Sequence, residues 1–132
     1  MPKTVEHILK FPIAPAELYD HYMDSKKHAA MIGSKAVVSR KVGGRFSAFD
    51  GYCFGRNLVL VPGRLIVQTW RASNWRKGNL DSLFMMEISK APGGCRLHLV
   101  HANLPDREAP GIRKGWLEHY WTPLKKQLQA RT

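Results

Sequence analysis

The chain has 132 residues, of which 44% are hydrophobic and 23% charged, ordinary usage for one globular domain able to build a core without disulfides. Lys and Arg number 21 against 10 Asp and Glu, a formal net charge of +11 at pH 7. Intrinsic disorder is excluded by this balance, and collagen-like and coiled-coil architectures by the lack of a Gly-X-Y period or sustained heptads.

Thr4 to Lys10 reads as a first strand, with Val5, Ile8 and Leu9 among polar residues and Pro12 closing it. Pro15 suits the first position of a helix, where its missing N–H costs nothing. Leu18 and Tyr22 then share one helical face. Asp24 or Ser25 caps a second short helix carrying Ala29 and Ile32, which Gly33 ends. From Lys35 the period changes to that of strands. Ala36 to Arg40 is one, followed by a Gly43-Gly44 turn. Arg45 to Asp50 is the next, with Phe46 and Ala48 on one side, and Asp50-Gly51 is a hairpin signal because both residues tolerate positive φ. Tyr52 to Val61, Leu65 to Arg71, Leu80 to Ser89 and Cys95 to Ala102 complete an antiparallel meander, joined at Pro62-Gly63, an irregular Ala72 to Asn79, and Pro92-Gly93-Gly94.

After the polar loop Asn103 to Pro110, the residues Ile112, Trp116, Tyr120, Leu124 and Leu128 recur every four positions, with Leu117 and Trp121 widening the stripe. This predicts an amphipathic helix of about 18 residues, roughly 27 Å long. Pro123 lies inside it and is expected to kink it. The loop before it is read as a mobile lid or a solvated connector. The sum is an α+β domain in which a curled sheet and a long helix bury each other's apolar faces and leave a space between them.

The basic residues are dispersed, in no block longer than two, as at Lys26-Lys27 and Arg113-Lys114. This fits a solvated basic surface able to meet an acidic protein, and nucleic acid is not an expected partner. Met1 to Phe11 carries Lys3, Glu6 and Lys10 and has no apolar core of the kind a secretory leader needs. Apolar runs such as Leu58 to Val61 are too short to span a membrane. Cys53 and Cys95 are expected as reduced, partly buried thiols, and the protein as cytoplasmic.

The segment GGRFSAFDGYCFGRNLVLVPGRLIVQTWRASNW, Gly43 to Trp75, and the segment GWLEHYWTPLKKQL, Gly115 to Leu128, resemble the heat-shock-protein-90 ATPase activator-like family of the START, birch-pollen-allergen-like (SRPBCC) superfamily. The Gly-Gly-x-Phe, Trp-Arg…Trp and Gly-Trp elements carry the likeness, which covers Pro12 to Leu128. It implies a single helix-grip domain over residues 1–132: seven antiparallel strands curled around the final helix, two short helices after the first strand, and a cavity between sheet and helix. Members of that superfamily bind lipids, hormones, polyketides or other apolar ligands, and some catalyse cyclisation or hydrolysis. In eukaryotic co-chaperones the domain follows a separate N-terminal domain that engages the chaperone.

Alternation places Ile66 and Trp70 on one face of their strand, and Phe84, Met86 and Ile88 on one face of theirs. Phe46, Phe54, Ile66, Trp70, Phe84, Met86, His101, Trp116 and Tyr120 are the expected lining of an apolar ligand cavity, if they are not simply core. Asp50 shares a face with Phe46 and Ala48 if its strand stays regular. Gln68 lies with Ile66 and Trp70, and His101 with Leu97 and Leu99. These three are the candidate catalytic groups, since an Asp and a His in one apolar cavity can act as base and partner.

No metal or cofactor is expected. His98 and His101 point to opposite faces of a strand, and His21 and His28 are separated by a helix break. No Cys-x-x-Cys, His-Glu-x-x-His, Gly-x-Ser-x-Gly or P-loop pattern occurs. The reading that follows is non-catalytic binding or transport of a hydrophobic small molecule. Two alternatives stand beside it: a stress-related chaperone accessory that binds an acidic partner, and a cyclase- or hydrolase-like enzyme using the cavity.

Overall fold

A computed structural model describes residues 2–131. The strands are β1 (Lys3–Phe11), β2 (Ala36–Val38), β3 (Arg45–Ala48), β4 (Cys53–Val61), β5 (Leu65–Ala72), β6 (Ser82–Ala91) and β7 (Gly94–Leu104). They form one seven-stranded antiparallel sheet in the order β1-β7-β6-β5-β4-β3-β2. Helices α1 (Pro15–Met23) and α2 (Ser25–Ile32) follow β1. The C-terminal helix runs from Ala109 to Ala130 in three pieces: α3 (Ala109–Trp116), a π-helical turn (Leu117–Trp121) and α4 (Thr122–Ala130).

The local chemistry that predicts these elements is what holds them. Pro15 occupies the first turn of α1. The Asp24 carboxylate accepts the Lys27 amide at the start of α2, and Gly33 closes α2 at φ 67°. In the centre of the sheet the inward rows are Ile66, Gln68 and Trp70 on β5, Ser82, Phe84 and Met86 on β6, and Leu97, Leu99 and His101 on β7. Register aligns them as Ile66–Met86–Leu99 and Gln68–Phe84–His101, so each row becomes one layer beneath the helix. Trp116, Tyr120, Trp121, Leu124 and Leu128 face these layers and are buried, while Leu18, Tyr22 and Met23 of α1 close one end.

Four expectations change. The strand from Ala36 stops at Val38 instead of Arg40, and just beyond it the Asn57 side-chain amide donates to the Ser39 and Lys41 carbonyls. The strand from Arg45 stops at Ala48. Phe49, Asp50 and Gly51 all take positive φ, of 53°, 56° and 88°, so Asp50 leaves the Phe46–Ala48 face and stands exposed in the turn. The expected loop from Asn103 to Pro110 is short: β7 continues to Leu104 and α3 starts at Ala109, and both residues are buried. Only a turn remains, held by the Glu108 and Ala109 amides on the Pro105 carbonyl, which leaves no span long enough for a lid.

The fourth change is the length of the last helix, which runs 22 residues where about 18 are expected and passes through Pro123. The proline sits in the first turn of α4, directly after the π turn, where the Thr122 amide donates to the Leu117 carbonyl five residues back. The widened turn takes up the clash that proline imposes on the preceding turn. It also adds a residue to the buried stripe. Trp116 and Trp121, five apart, stack at 6.0 Å with planes 9° apart, and Tyr120 stays inside with them.

Candidate functional site

Between the β3–β5 end of the sheet and the start of the C-terminal helix lies an open cleft of about 450 Å³. Phe49, Tyr52, Cys53 and Trp70 line it from the sheet, and Glu108, Gly111, Ile112, Gly115, Trp116, His119 and Tyr120 from the helix. Two features make the space. Gly111 and Gly115 are one helical turn apart and face it; a Cβ on Gly111 would meet nothing within 4 Å, and one on Gly115 only the His119 ring at 3.7 Å. The turn after β3 makes the opposite lip, swinging the Phe49 ring to 5.8 Å from Tyr120 at 79° between planes. A phenylalanine in the left-handed region is strained, and aromatic packing on Tyr120 and His119 holds it there.

The cleft floor is aromatic and its back wall is closed. Trp116 and Tyr120 sit 4.7 Å apart. Phe84 stacks on Trp116 at 5.1 Å from the core side, so the space ends at the indole. Behind it, the Trp116 ring N–H donates to His101 Nδ1 at 3.1 Å. That bond fixes the neutral tautomer: His101 Nε2–H donates to Ser82 Oγ at 2.8 Å, and the Ser82 hydroxyl donates to the Trp70 carbonyl at 2.6 Å. The chain of bonds therefore joins both tryptophans of the cleft. Burial pushes the His101 pKa down to about 3.

A second buried chain lies behind Tyr120. Its hydroxyl donates to His28 Nε2 at 2.8 Å, and His28 Nδ1–H donates to the Tyr22 carbonyl at 2.8 Å. The Tyr22 hydroxyl donates to Gln68 Oε1 at 3.0 Å, and the Gln68 amide donates to Asn57 Oδ1 at 2.7 Å. Burial lowers His28 to about 4 and raises both tyrosine hydroxyls well above their usual value. Cys53, at the cleft, is pushed up to about 12 by burial, so its sulfur is a thiol at neutral pH and a poor nucleophile.

The structure distributes the expected site residues unevenly. Trp70, Trp116 and Tyr120 line the cleft. Phe46, Ile66, Phe84, Met86 and His101 are fully packed in the core behind it. Phe54 is 41% exposed on the other face of the sheet, because Cys53 takes the inward position next to it. Asp50 is in the exposed turn, and Gln68 and His101 are bonded at both polar ends within the core, so the three candidate catalytic groups do not meet. His98 faces outward and bonds Glu6, on the side away from His101.

Sequence reasoning missed Phe49, Tyr52, Cys53, Glu108, Gly111, Ile112, Gly115 and His119 as lining. A signal existed for two of them: glycines at i and i+4 within a helical pattern have no helical reason to be there. Among the described residues no three His, Cys, Asp or Glu side chains cluster as a metal site needs, and no helix is long and apolar enough to cross a membrane.

A curled antiparallel sheet gripping one long helix, with a cleft at one end of the grip, is the architecture of the helix-grip SRPBCC proteins. Within that class the chain belongs to the family described as Activator of Hsp90 ATPase homolog 1-like protein, whose model matches residues 12–129. It is 30% identical over 123 residues to an activator of 90 kDa heat shock protein ATPase homolog of Dictyostelium discoideum, a match covering 93% of this chain and 32% of that protein. It is 28% identical over 116 residues to the Homo sapiens homolog 1, covering 88% of this chain and 34% of that one. The chain thus spans about a third of the length of these curated relatives. Among solved structures it superposes on an HSP90 activator from Plasmodium falciparum with TM-score 0.87 at 24% identity, over 96% of each chain. A protein from Mesorhizobium loti gives TM-score 0.84 at 20% identity, over 98% of each. Likeness at this level of identity speaks for the fold.

Proposed function

We propose that this domain binds a hydrophobic small molecule in the cleft and holds it without chemical change. The observation that carries the reading is the glycine pair. A helix-interior glycine costs roughly 0.5–1 kcal/mol relative to alanine. Gly115 accepts that cost, and with Gly111 in the first turn of α3 it packs against almost nothing, which keeps the cleft open. Binding is favoured over turnover because Gln68 and His101 have their polar atoms committed within the core, and Asp50 stands in solvent. Two buried free thiols are in keeping with a cytoplasmic setting.

The test is titration with Nile red, a neutral apolar dye, followed by dye emission and tryptophan quenching. The wild type is expected to bind it in the micromolar range, and Gly115→Leu, which fills the cleft, to lose binding while remaining folded. A wild type that leaves the dye in water overturns the proposal.

A chaperone-accessory role is the second reading. It is favoured by the names of the Dictyostelium discoideum and Homo sapiens relatives and by the net charge of +11, which suits an acidic partner. Calorimetry against the 90 kDa heat shock protein at low and moderate salt checks it. A complex weakened by salt supports it, and no complex at low salt dismisses it.

A further inference from the structure

We infer that the cleft selects an apolar ligand with a cationic head, such as an alkylated ammonium, over an anionic or neutral one. The inference rests on the reading of the cleft as a ligand site and names the class of ligand it takes.

Three observations carry it. The first is the charge of the lining. The chain has 21 Lys and Arg against 10 Asp and Glu, yet among the described residues no Lys or Arg lines the cleft, and Glu108 is the carboxylate that does. A cleft that simply sampled this surface would hold cations.

The second is the state of Glu108. It stands at the N-terminal end of α3, half-buried, but its side chain makes no bond to the helix's own amides. The carboxylate is therefore not consumed as a helix cap. Burial, and after it the Glu108 charge across the cleft mouth, raises the pKa of the Tyr52 hydroxyl.

The third is the arrangement of the rings. Phe49, Trp116 and Tyr120 present surfaces at steep angles, 79° for Phe49 against Tyr120 and 42° for Trp116 against Tyr120. All three rings line the cleft, and aromatic surface lining a cleft attracts a cation that comes over it. A carboxylate at the rim of an aromatic box matches an ammonium head with a short apolar tail. A fatty-acid head placed there meets Glu108 as a like charge.

The experiment compares three probes with the same tail: octyltrimethylammonium, octanol and octanoate. Binding is read by tryptophan fluorescence and calorimetry at about 0.15 M salt, where the distant surface charges are screened beyond about 8 Å. The wild type is expected to bind octyltrimethylammonium about tenfold more tightly than octanol, and octanoate most weakly. Glu108→Gln is expected to reduce the ratio of cation to octanol affinity about fivefold, with the melting temperature near wild type. Equal affinity for the three probes, tighter octanoate, or a cation preference untouched by Glu108→Gln overturns the inference and leaves apolar binding standing. If none of the three binds and Nile red also fails, the ligand site itself is refuted.

Discussion

The Trp116 indole N–H donates to His101 Nδ1 at 3.1 Å, and through that bond the gripping helix is tied to the centre of the sheet. The same side chain lines the cleft and stacks on Phe84 in the core. Trp116→Phe keeps most of the bulk and removes the donor. His101 is 0% exposed, so its Nδ1 is left buried without a partner, at a cost of about 1–3 kcal/mol. Urea unfolding is expected to show a lowered midpoint with an unchanged slope. An unchanged midpoint dismisses the bond as a contributor.

Acid is expected to destabilise the domain earlier than its carboxylates alone predict. An unfolded histidine binds a proton near pH 6.5. In the fold His28 binds one only near pH 4 and His101 only near pH 3, because burial disfavours the charged ring. Below pH 6.5 the unfolded chain therefore holds more protons, and stability falls as pH drops toward 4, by up to ~1.4 kcal/mol per pH unit for each ring. Above pH 7 the two rings give no slope. Urea midpoints measured from about pH 7.5 to 4.5 check this, and a flat profile between about pH 6.5 and 5 goes against it.

Two glycines are expected to respond in opposite directions to alanine. At Gly115 the new methyl finds ordinary contact at 3.7 Å, so Gly115→Ala gains about 0.5–1 kcal/mol from helix propensity and raises the melting temperature. At Gly55 the methyl would fall 1.8 Å from the Thr69 carbonyl oxygen, which is backbone and cannot move aside cheaply. Gly55→Ala is expected to cost at least about 1–3 kcal/mol. Calorimetric melts of the pair decide it. A stabilised Gly55→Ala contradicts the close approach of β4 and β5.

Both thiols are expected to be silent in the native state. Cys53 and Cys95 are each 1% exposed, and burial raises both pKa values, Cys53 to about 12. At pH 8 the thiolate share of Cys53 is on the order of one in ten thousand. A chromogenic disulfide reagent should label neither cysteine in the folded protein and both in denaturant. Rapid native labelling of Cys53 shows instead that the cleft opens to it.

Much of the fold is legible in the chain because it is written in neighbours. Pro15, the Asp24 cap, Gly33 and the Asp50-Gly51 turn act over a few residues, and each stands where local chemistry puts it. Strict alternation from Leu65 to Ala72 gives the inward set Ile66, Gln68 and Trp70 without any knowledge of what they face. The candidate site is legible only in part. Alternation tells that Phe84 and Trp70 point the same way, yet Phe84 lies under Trp116 in solid packing and Trp70 borders open space. That difference depends on the gap between two surfaces, which no single strand encodes.

By itself the sequence determined the α+β grip, the hydrophobic faces of its strands, the ends of its two short helices and its family. Tertiary structure decided the rest: the π turn that carries the helix past Pro123, the backward swing of Phe49, and the approach of Glu108 and Tyr52 to one mouth. The physical reason is range. Capping, turn geometry and periodicity are settled within a few residues, whereas an opening exists only where distant surfaces, here β3–β5 and the Gly111–Gly115 face of the helix, stop short of touching.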